Sequence, residues 1–269
     1  MPPPSRRDLK NLVGKLGANA RPGQRMTALT TLQALCREPE NVAAIAAAGA
    51  ISPLLQLLAM GPGAAASVLE SDSEVLLGLC HDAGIARIVA AAGAFPTLVQ
   101  VLVAGTHARV LFASSMALGC LAAADAATAV AITATGAVPP LVRLIKAGVP
   151  ADVQAAPAAT LKDLAGHPEN AVSIAAAGAI PPLVQMLGLA PDSPGKRMAL
   201  GALTALAPLI AENAATIAAA GAIPPLVQLL GLDLQLVCRK QQQAHVSLRT
   251  RRILPSSQLQ APSLHWCSC

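Results

Sequence analysis

Apolar and polar positions recur along most of this chain with a period of about 43 residues. In each period an alanine-rich run ends at a glycine and a proline-containing apolar run follows. A longer segment then carries apolar residues two or three positions apart, as at Met198, Leu200, Leu203 and Leu206. Such spacing places apolar side chains on one face of a helix. The pattern predicts three helices in every period.

A glycine followed by alanine marks each copy of the repeat. The copies are 44, 43, 42 and 43 residues apart, at Gly49, Gly93, Gly136, Gly178 and Gly221. Glycine readily takes the left-handed conformation that ends many helices, so we predict that the first helix ends there. Eight residues before the glycine, three copies carry asparagine, at Asn41, Asn170 and Asn213. Asparagine is a favoured N-cap residue, so we predict that it starts the first helix.

Prolines indicate where the second and third helices begin. Proline fits the first turn of a helix, where a backbone N–H has no intrahelical partner. Pro181 and Pro182 therefore predict a second helix that leaves the first at a sharp angle. Ser193 followed by Pro194 predicts the start of a third helix, with a capping residue before a proline.

Three residues are unfavourable inside the predicted third helices. Pro157 removes a backbone hydrogen bond at a cost of about 3 kcal/mol, so we expect a kink there. Gly78 and Gly201 each cost about 1 kcal/mol relative to alanine. They indicate either drift of the sequence or positions where two helices pack closely.

Composition favours an all-α protein. Of the 269 residues 54% are apolar, mostly Ala, Leu, Val and Ile, with two Phe, one Trp and no Tyr. Strands are usually richer in aromatic residues. The 22 Pro and 20 Gly suit many short helices separated by tight turns.

Targeting and redox signals indicate the cytoplasm or the nucleus. No run of 18 or more apolar residues is free of interruption, so we predict no transmembrane helix. The N-terminus carries no secretory signal, and Pro2 stands where myristoylation requires glycine. Six Cys are too sparse for a secreted disulfide framework, so we expect reduced thiols.

The repeated motif resembles a known family. It reads Asn-x-x-x-Ile-x-x-x-Gly-Ala-Ile-x-Pro-Leu-Val-x-Leu-Leu, then Ala-Leu-x-x-Leu-Ala, and is similar to the armadillo repeat of catenins, importin-α and plant repeat proteins. The resemblance covers residues 8–233. It implies a right-handed α-solenoid, or superhelix, of three-helix repeats with about four complete and two partial units. We assign residues 1–40 to a partial N-terminal unit, 41–233 to armadillo repeats and 234–269 to a basic, disordered tail.

The tail carries all of the net charge of +5, because residues 234–269 hold five basic residues and no acid. Contact of this tail with nucleic acid or an anionic membrane is a weak alternative, since no aromatic residues are interleaved with the basic ones. The terminal run from His265 to Cys269 resembles a metal site or a double prenylation signal only faintly. The last repeat lacks a recognisable third helix, for which truncation or a gene-model artefact is one open explanation.

In the resembled family, partner peptides lie in a groove lined by the third helices, often held by a ladder of asparagines. The matching positions here carry no asparagine: Ala34, Gly78, Cys120, Asp163 and Ala205. One turn earlier, where importin-α places tryptophan, this chain has Thr30, Glu74, Met116, Ala159 and Gly201. A nuclear-import receptor is therefore disfavoured. The predicted groove residues are Thr27, Thr30, Ser71, Glu74, Arg109, Met116, Asp152, Asp163 and Met198.

Candidate chemistry is sparse. Cys80-His81-Asp82 is the most suggestive cluster, yet Cys36 occupies the same repeat position as Cys80, which favours a small packed residue over a nucleophile. We predict no catalytic residue, no metal site and no cofactor. The favoured function is a monomeric, non-enzymatic protein-binding scaffold that presents its groove to an extended peptide of a partner protein.

Two alternatives stay open. The chain could be the substrate-recognition part of an armadillo-type ubiquitin ligase whose catalytic-recruiting domain is absent from it. Membrane scaffolding, as in vacuolar armadillo proteins, lacks the acylation glycine after Met1.

Overall fold

A computed structural model of the chain describes residues 4–17, 20–105, 107–146, 151–190, 192–207 and 211–228. Two compact units divide the chain, Met1–Ala222 and Ile223–Cys269. In the second unit the described residues 223–228 are helical. The predicted tail at 234–269 lies outside the described residues, and the domain boundaries at 40 and 233 stay predictions.

Helices in groups of three build the first unit. The helices α1 (Arg6–Gly14) and α2 (Pro22–Leu35) come first. Four groups follow: α3 (Pro39–Ala47), α4 (Ile51–Ala59) and α5 (Ala66–Cys80); α6 (Ala83–Ala91), α7 (Ala94–Ala104) and α8 (Ala108–Ala124); α9 (Ala126–Ala134), α10 (Val138–Lys146) and α11 (Ala151–Ala165); α12 (Pro168–Ala176), α13 (Ile180–Met186) and α14 (Pro194–Leu206). The helix α15 (Ala211–Ala219) begins a further group, and the described residues contain no strand. The all-α repeat prediction is confirmed.

Glycine ends the first helix of each group. The φ angles are +87°, +78°, +80°, +73° and +83° at Gly49, Gly93, Gly136, Gly178 and Gly221. Residues with a Cβ rarely take this conformation. The following helix leaves at a sharp angle, 82° between α3 and α4, 85° between α6 and α7, and 76° between α9 and α10. The predicted role of the glycines is confirmed, and so is a sharp bend in these three groups.

The third helices stack in sequence: α2 on α5, α5 on α8, α8 on α11 and α11 on α14. Their apolar sides also pack on the first and second helices of the groups. The core is aliphatic, with fully buried leucines on the third helices at Leu29, Leu76, Leu79, Leu118 and Leu161. Burial of this apolar surface is the main stabilising term of the fold.

The predicted N-cap role of the asparagines is wrong. Asn41 lies inside α3, whose N-cap is Glu38, and its side-chain amide donates to the carbonyl oxygen of Leu35 at 3.3 Å. Asn170 and Asn213 donate in the same way to Leu164 at 3.2 Å and Leu206 at 3.0 Å. Each asparagine therefore bonds the end of the preceding third helix, where carbonyls lack intrahelical partners.

Two other groups use a true N-cap. The Asp82 carboxylate accepts from the backbone N–H of Ile85 at 2.9 Å, and the Asp125 carboxylate accepts from that of Thr128 at 3.3 Å. Ile85 and Thr128 occupy the asparagine position in their repeats. In these two groups an aspartate thus accepts a hydrogen bond from a backbone N–H in the first turn of the first helix, which has no intrahelical partner.

The interior glycines of the third helices do mark close packing. A Cβ on Gly78 would lie 2.9 Å from the Cβ of Cys36, and one on Gly201 would lie 2.9 Å from Cδ of Lys162. Gly119 faces Thr160 and Asp163 in the same way, at 3.2 Å. The buried Pro157 lies in α11, which is helical from Ala151 to Ala165. The kink there stays a prediction.

No single helix in the described ranges is long and apolar enough to cross a membrane. Three pairs of consecutive first and second helices together reach the length and apolar composition of a membrane span, but each pair is bent by 76° or more.

Candidate functional site

The third helices share one accessible side, here called the third-helix face. Residues three or four apart lie on the same side of a helix, so each helix contributes one line of residues. The lines contain Thr27, Thr30 and Ala34 on α2; Glu74, Leu77 and Gly78 on α5; Arg109, Phe112, Met116 and Cys120 on α8; Lys162 and Asp163 on α11; and Gly201, Thr204 and Ala205 on α14. All of them are exposed or half-buried. The face therefore crosses successive repeats.

Glu74 connects three neighbouring third helices on this face. Its carboxylate accepts a hydrogen bond from the side-chain amide of Gln33 on α2. It also pairs with Nη1 of Arg109 on α8, at 3.2 Å from Oε1. The Arg109 side chain is 72% exposed and that of Glu74 is 28% exposed, so solvent screens the pair. The contacts bring one carboxylate and one guanidinium together on the third-helix face.

Two depressions adjoin at Glu74 and Leu77. The first, here the mixed depression, has a volume of about 620 Å³ and is lined by Gln33, Cys36, Arg37, Pro39, Val42, Glu74, Leu77, Gly78, His81 and Asp82. The second, here the apolar depression, has a volume of about 570 Å³ and is lined by Glu74, Leu77, Ala108, Arg109, Phe112, Ala113 and Val153. Both volumes lie within the range of ligand pockets. Together they extend from α2 to α11.

The predicted groove residues on α2 and α5 have different environments. Thr27 and Thr30 are exposed, and their hydroxyls donate to backbone carbonyls of α2, to Gly23 at 2.9 Å and to Met26 at 3.0 Å. Ser71 is only 8% exposed and its hydroxyl contacts Met26 Sδ at 3.9 Å. Ser71 therefore lies between α5 and α2 and not on the open face.

The predicted residues on the later helices are spread out. Met116 is half-buried on α8 and Met198 is half-buried on α14. Asp163 pairs with the neighbouring Lys162 at 3.1 Å. Burial raises the pKa of Asp163, and the Lys162 ammonium opposes that shift. The Asp152 side chain lies outside the described part of the chain. The structure thus brings together only Glu74 and Arg109 of the predicted set at the depressions.

The middle of α11 closes part of the face. Ala155 and Ala159 are buried there, because small residues let α11 approach α8 and α14 closely. Beyond them the Lys162 stem covers Gly201. The accessible depressions therefore lie towards the N-terminal repeats.

Several residues at the depressions are not among the predicted groove residues, and they include Gln33, Leu77 and Phe112. Phe112 lies four residues before Met116 on the same side of α8, and it is one of only two phenylalanines in the chain. That spacing was a usable signal. Nothing in the sequence pairs Gln33 with Glu74, because they are 41 residues apart and meet through helix stacking.

The three residues Cys80, His81 and Asp82 make separate structural contacts and do not form a common site. Cys80 is buried, and burial raises the pKa of its thiol. His81 Nδ1 lies 2.8 Å from the carbonyl oxygen of Leu77, and Asp82 caps α6. Burial also raises the pKa of Cys36 to about 11, so both thiols are protonated at neutral pH. Among the described residues no group of three His, Cys, Asp or Glu is placed to hold a metal ion.

Comparison with known families gives one match. Residues 167–207, which include α12, α13 and α14, match the Armadillo/beta-catenin-like repeat. No curated protein matches the sequence.

Several solved structures share the fold. A designed armadillo repeat protein is 24% identical with a TM-score of 0.74, covering 82% of this chain and 91% of that chain. An engineered protein is 26% identical with a TM-score of 0.75, covering 83% and 89%. A second designed armadillo repeat protein, in complex with the peptide (KR)4, is 24% identical with a TM-score of 0.73, covering 82% and 91%. The fold is an armadillo-repeat solenoid.

Proposed function

We propose that this chain, a member of the armadillo-repeat family, is a non-enzymatic scaffold that binds an extended peptide segment of a partner protein on its third-helix face. Stacked helical repeats present long continuous surfaces, which suit extended ligands. We place the protein in the cytoplasm or nucleus, as a monomer, on the sequence alone. Imaging of the tagged full chain and sedimentation analysis test those two points.

One observation carries the proposal: the mixed and apolar depressions adjoin at Glu74 and Leu77. A single compact ligand would fill one depression, whereas an extended chain places successive side chains in both. Residues along an extended peptide advance about 3.3 Å each, and packed helix axes lie about 8–10 Å apart, so a few residues span neighbouring third helices.

The comparison with the designed protein that carries (KR)4 supports a peptide ligand, but the residues here suggest a different one. Glu74 is already bonded to Gln33 and paired with Arg109, and Asp163 is paired with Lys162. These carboxylates are therefore poor partners for a strongly basic peptide. The third-helix face favours a ligand of lower positive charge.

A charge reversal tests the proposed face. Short random peptides displayed on phage are selected on the full chain, and recovered peptides are then synthesised with a fluorescent label and titrated by anisotropy. We expect Glu74→Arg to abolish or strongly weaken binding, because it removes the contact to Gln33 and repels Arg109. Glu169→Arg, an exposed acid in α12, is the matched control and should bind normally. Failure to recover any peptide sensitive to Glu74→Arg would overturn the proposal.

A further inference from the structure

The apolar depression contains a partly exposed aromatic ring on the third-helix face. Phe112 is 37% exposed, and it lies beside Leu77, Ala108, Ala113 and Val153. Apolar side chains that stay partly accessible inside a concave site lose water when a ligand side chain covers them, and aromatic residues are prominent in such contacts. The position is therefore suited to hold a ligand side chain.

The charges at this depression disfavour a basic ligand side chain. Its charged residues are Glu74 and Arg109, which pair with each other at the edge. A lysine or arginine head group placed there would face the Arg109 guanidinium, which already neutralises the charge of the Glu74 carboxylate. The rest of the lining, as far as the structure describes it, is apolar and would desolvate the cation without supplying a partner.

The same pair complements a peptide backbone. A carboxylate accepts a hydrogen bond from a backbone N–H, and a guanidinium donates to a backbone C=O. Oε1 of Glu74 and Nη1 of Arg109 lie 3.2 Å apart. One hydrogen-bond acceptor and one donor therefore lie side by side next to the apolar lining. In an extended peptide the backbone N–H and C=O of one residue point to the same edge of the chain, and successive side chains alternate between its two faces.

From these contacts we infer that the apolar depression at Phe112 is an anchor site for one large apolar side chain of an extended peptide, whose flanking backbone is held by Glu74 and Arg109. The inference rests on the proposed function and specifies the ligand chemistry of that face. The mixed depression is lined by both Arg37 and Asp82. Its charges therefore do not indicate which residue type the neighbouring position of the peptide carries.

Blocking the depression from its edge tests the inference in the full chain. Ala108 is exposed at the first position of α8, so Ala108→Trp fills the depression without disturbing the core. Ala123 is exposed on the same helix, about 22 Å away at 1.5 Å per residue, so Ala123→Trp is the matched control. Thermal unfolding verifies that both variants fold, and Phe112→Ala serves as a second variant that empties the site.

Among displayed random peptides selected on the full chain, we expect one position enriched in Leu, Ile, Met, Phe or Trp. In the labelled peptide, Ala at that position should weaken binding about tenfold or more, and Lys should weaken it further. Ala108→Trp and Phe112→Ala should weaken the parent peptide by a similar factor, whereas Ala123→Trp should leave its affinity unchanged.

Two outcomes separate this inference from the proposed function. If the recovered peptides lose affinity with Glu74→Arg but share a Lys or Arg, or bind Ala108→Trp as tightly as the parent protein, the anchor site is refuted and the peptide-binding face stands. If binding is insensitive to Glu74→Arg, the proposed face is refuted and the anchor site with it.

Discussion

The side-chain amide of Asn170 donates to the carbonyl oxygen of Leu164 at 3.2 Å, so the first helix of one repeat bonds the end of the third helix before it. The same relationship joins Asn41 to Leu35 and Asn213 to Leu206. Asn170 is only 1% exposed, so water has little access to replace its amide. The bond links consecutive repeats through a carbonyl in the last turn of α11, which also accepts from the backbone N–H of His167 at 3.2 Å.

Replacement of Asn170 should therefore destabilise the repeat junction. We expect Asn170→Ala to lower the free energy of unfolding by about 0.5–1.5 kcal/mol, because it removes a buried hydrogen bond while the Leu164 carbonyl oxygen keeps the backbone N–H of His167 as a partner. Urea unfolding followed by circular dichroism measures the change. The control is Val172→Ala, a 58% exposed position two residues later in α12. Equal stability of the two variants would show that the bond contributes nothing measurable.

Asp72 should make stability fall as pH rises. The residue is fully buried in α5, neither carboxylate oxygen has a hydrogen-bond partner among the described residues, and burial raises its pKa well above the ordinary value. Above the ordinary Asp pKa of about 3.9 the unfolded chain loses this proton while the folded chain keeps it. The free energy of unfolding therefore decreases with pH from that value up to the raised folded-state pKa, and then levels off.

Substitution of Asp72 should remove that pH dependence. Equivalent repeat positions carry Ala28 and Ala199, so Asp72→Ala keeps a residue that the repeat accommodates. We expect the variant to be more stable than the parent at neutral pH and to lose this part of the slope. Chemical unfolding across acidic to neutral pH measures both, and Glu70→Ala on the same helix should retain the slope. An unchanged slope in Asp72→Ala would contradict the assignment.

Gly78 should not tolerate alanine, although alanine is the better helix former. The added Cβ would lie 2.9 Å from the Cβ of Cys36, the residue that follows α2, and neither carbon can rotate away. Overpacking costs about 1–3 kcal/mol, which equals or exceeds the gain of about 1 kcal/mol in helix propensity. We expect Gly78→Ala to lower the melting temperature.

Gly23 provides the matched control in α2. An added Cβ there meets nothing within 4 Å, so Gly23→Ala should leave the melting temperature unchanged or raise it slightly. A rise in both variants would mean that α2 and α5 separate easily enough to absorb the methyl group.

Loss of Arg109 should affect binding far more than folding. Its pair with Glu74 is exposed, and exposed pairs contribute about 0–1 kcal/mol, so we expect Arg109→Ala to unfold at nearly the same urea concentration as the parent. Peptides selected on the full chain should nevertheless bind the variant more weakly. A large loss of stability would instead identify the Gln33, Glu74 and Arg109 contacts as a structural link between helices.

The sequence by itself determined the repeat, the three-helix unit and the sharp turn after each glycine. These features follow from local rules, because a left-handed glycine such as Gly178 and a proline such as Pro181 act on the backbone within one helical turn. Apolar spacing likewise indicated which side of each third helix is buried.

Tertiary structure alone decided which side chains meet. Asparagine is a favoured N-cap residue, yet the side chain of Asn170 bonds Leu164 in the preceding helix. Glu74 and Arg109 were both predicted on the groove, but their contact and the depression beside Phe112 depend on the rotation and spacing of α5 and α8. Ser71 shows the same limit, since it was predicted on the groove but its hydroxyl contacts Met26 on α2. Contacts between residues tens of positions apart depend on how whole helices pack, which no local pattern specifies.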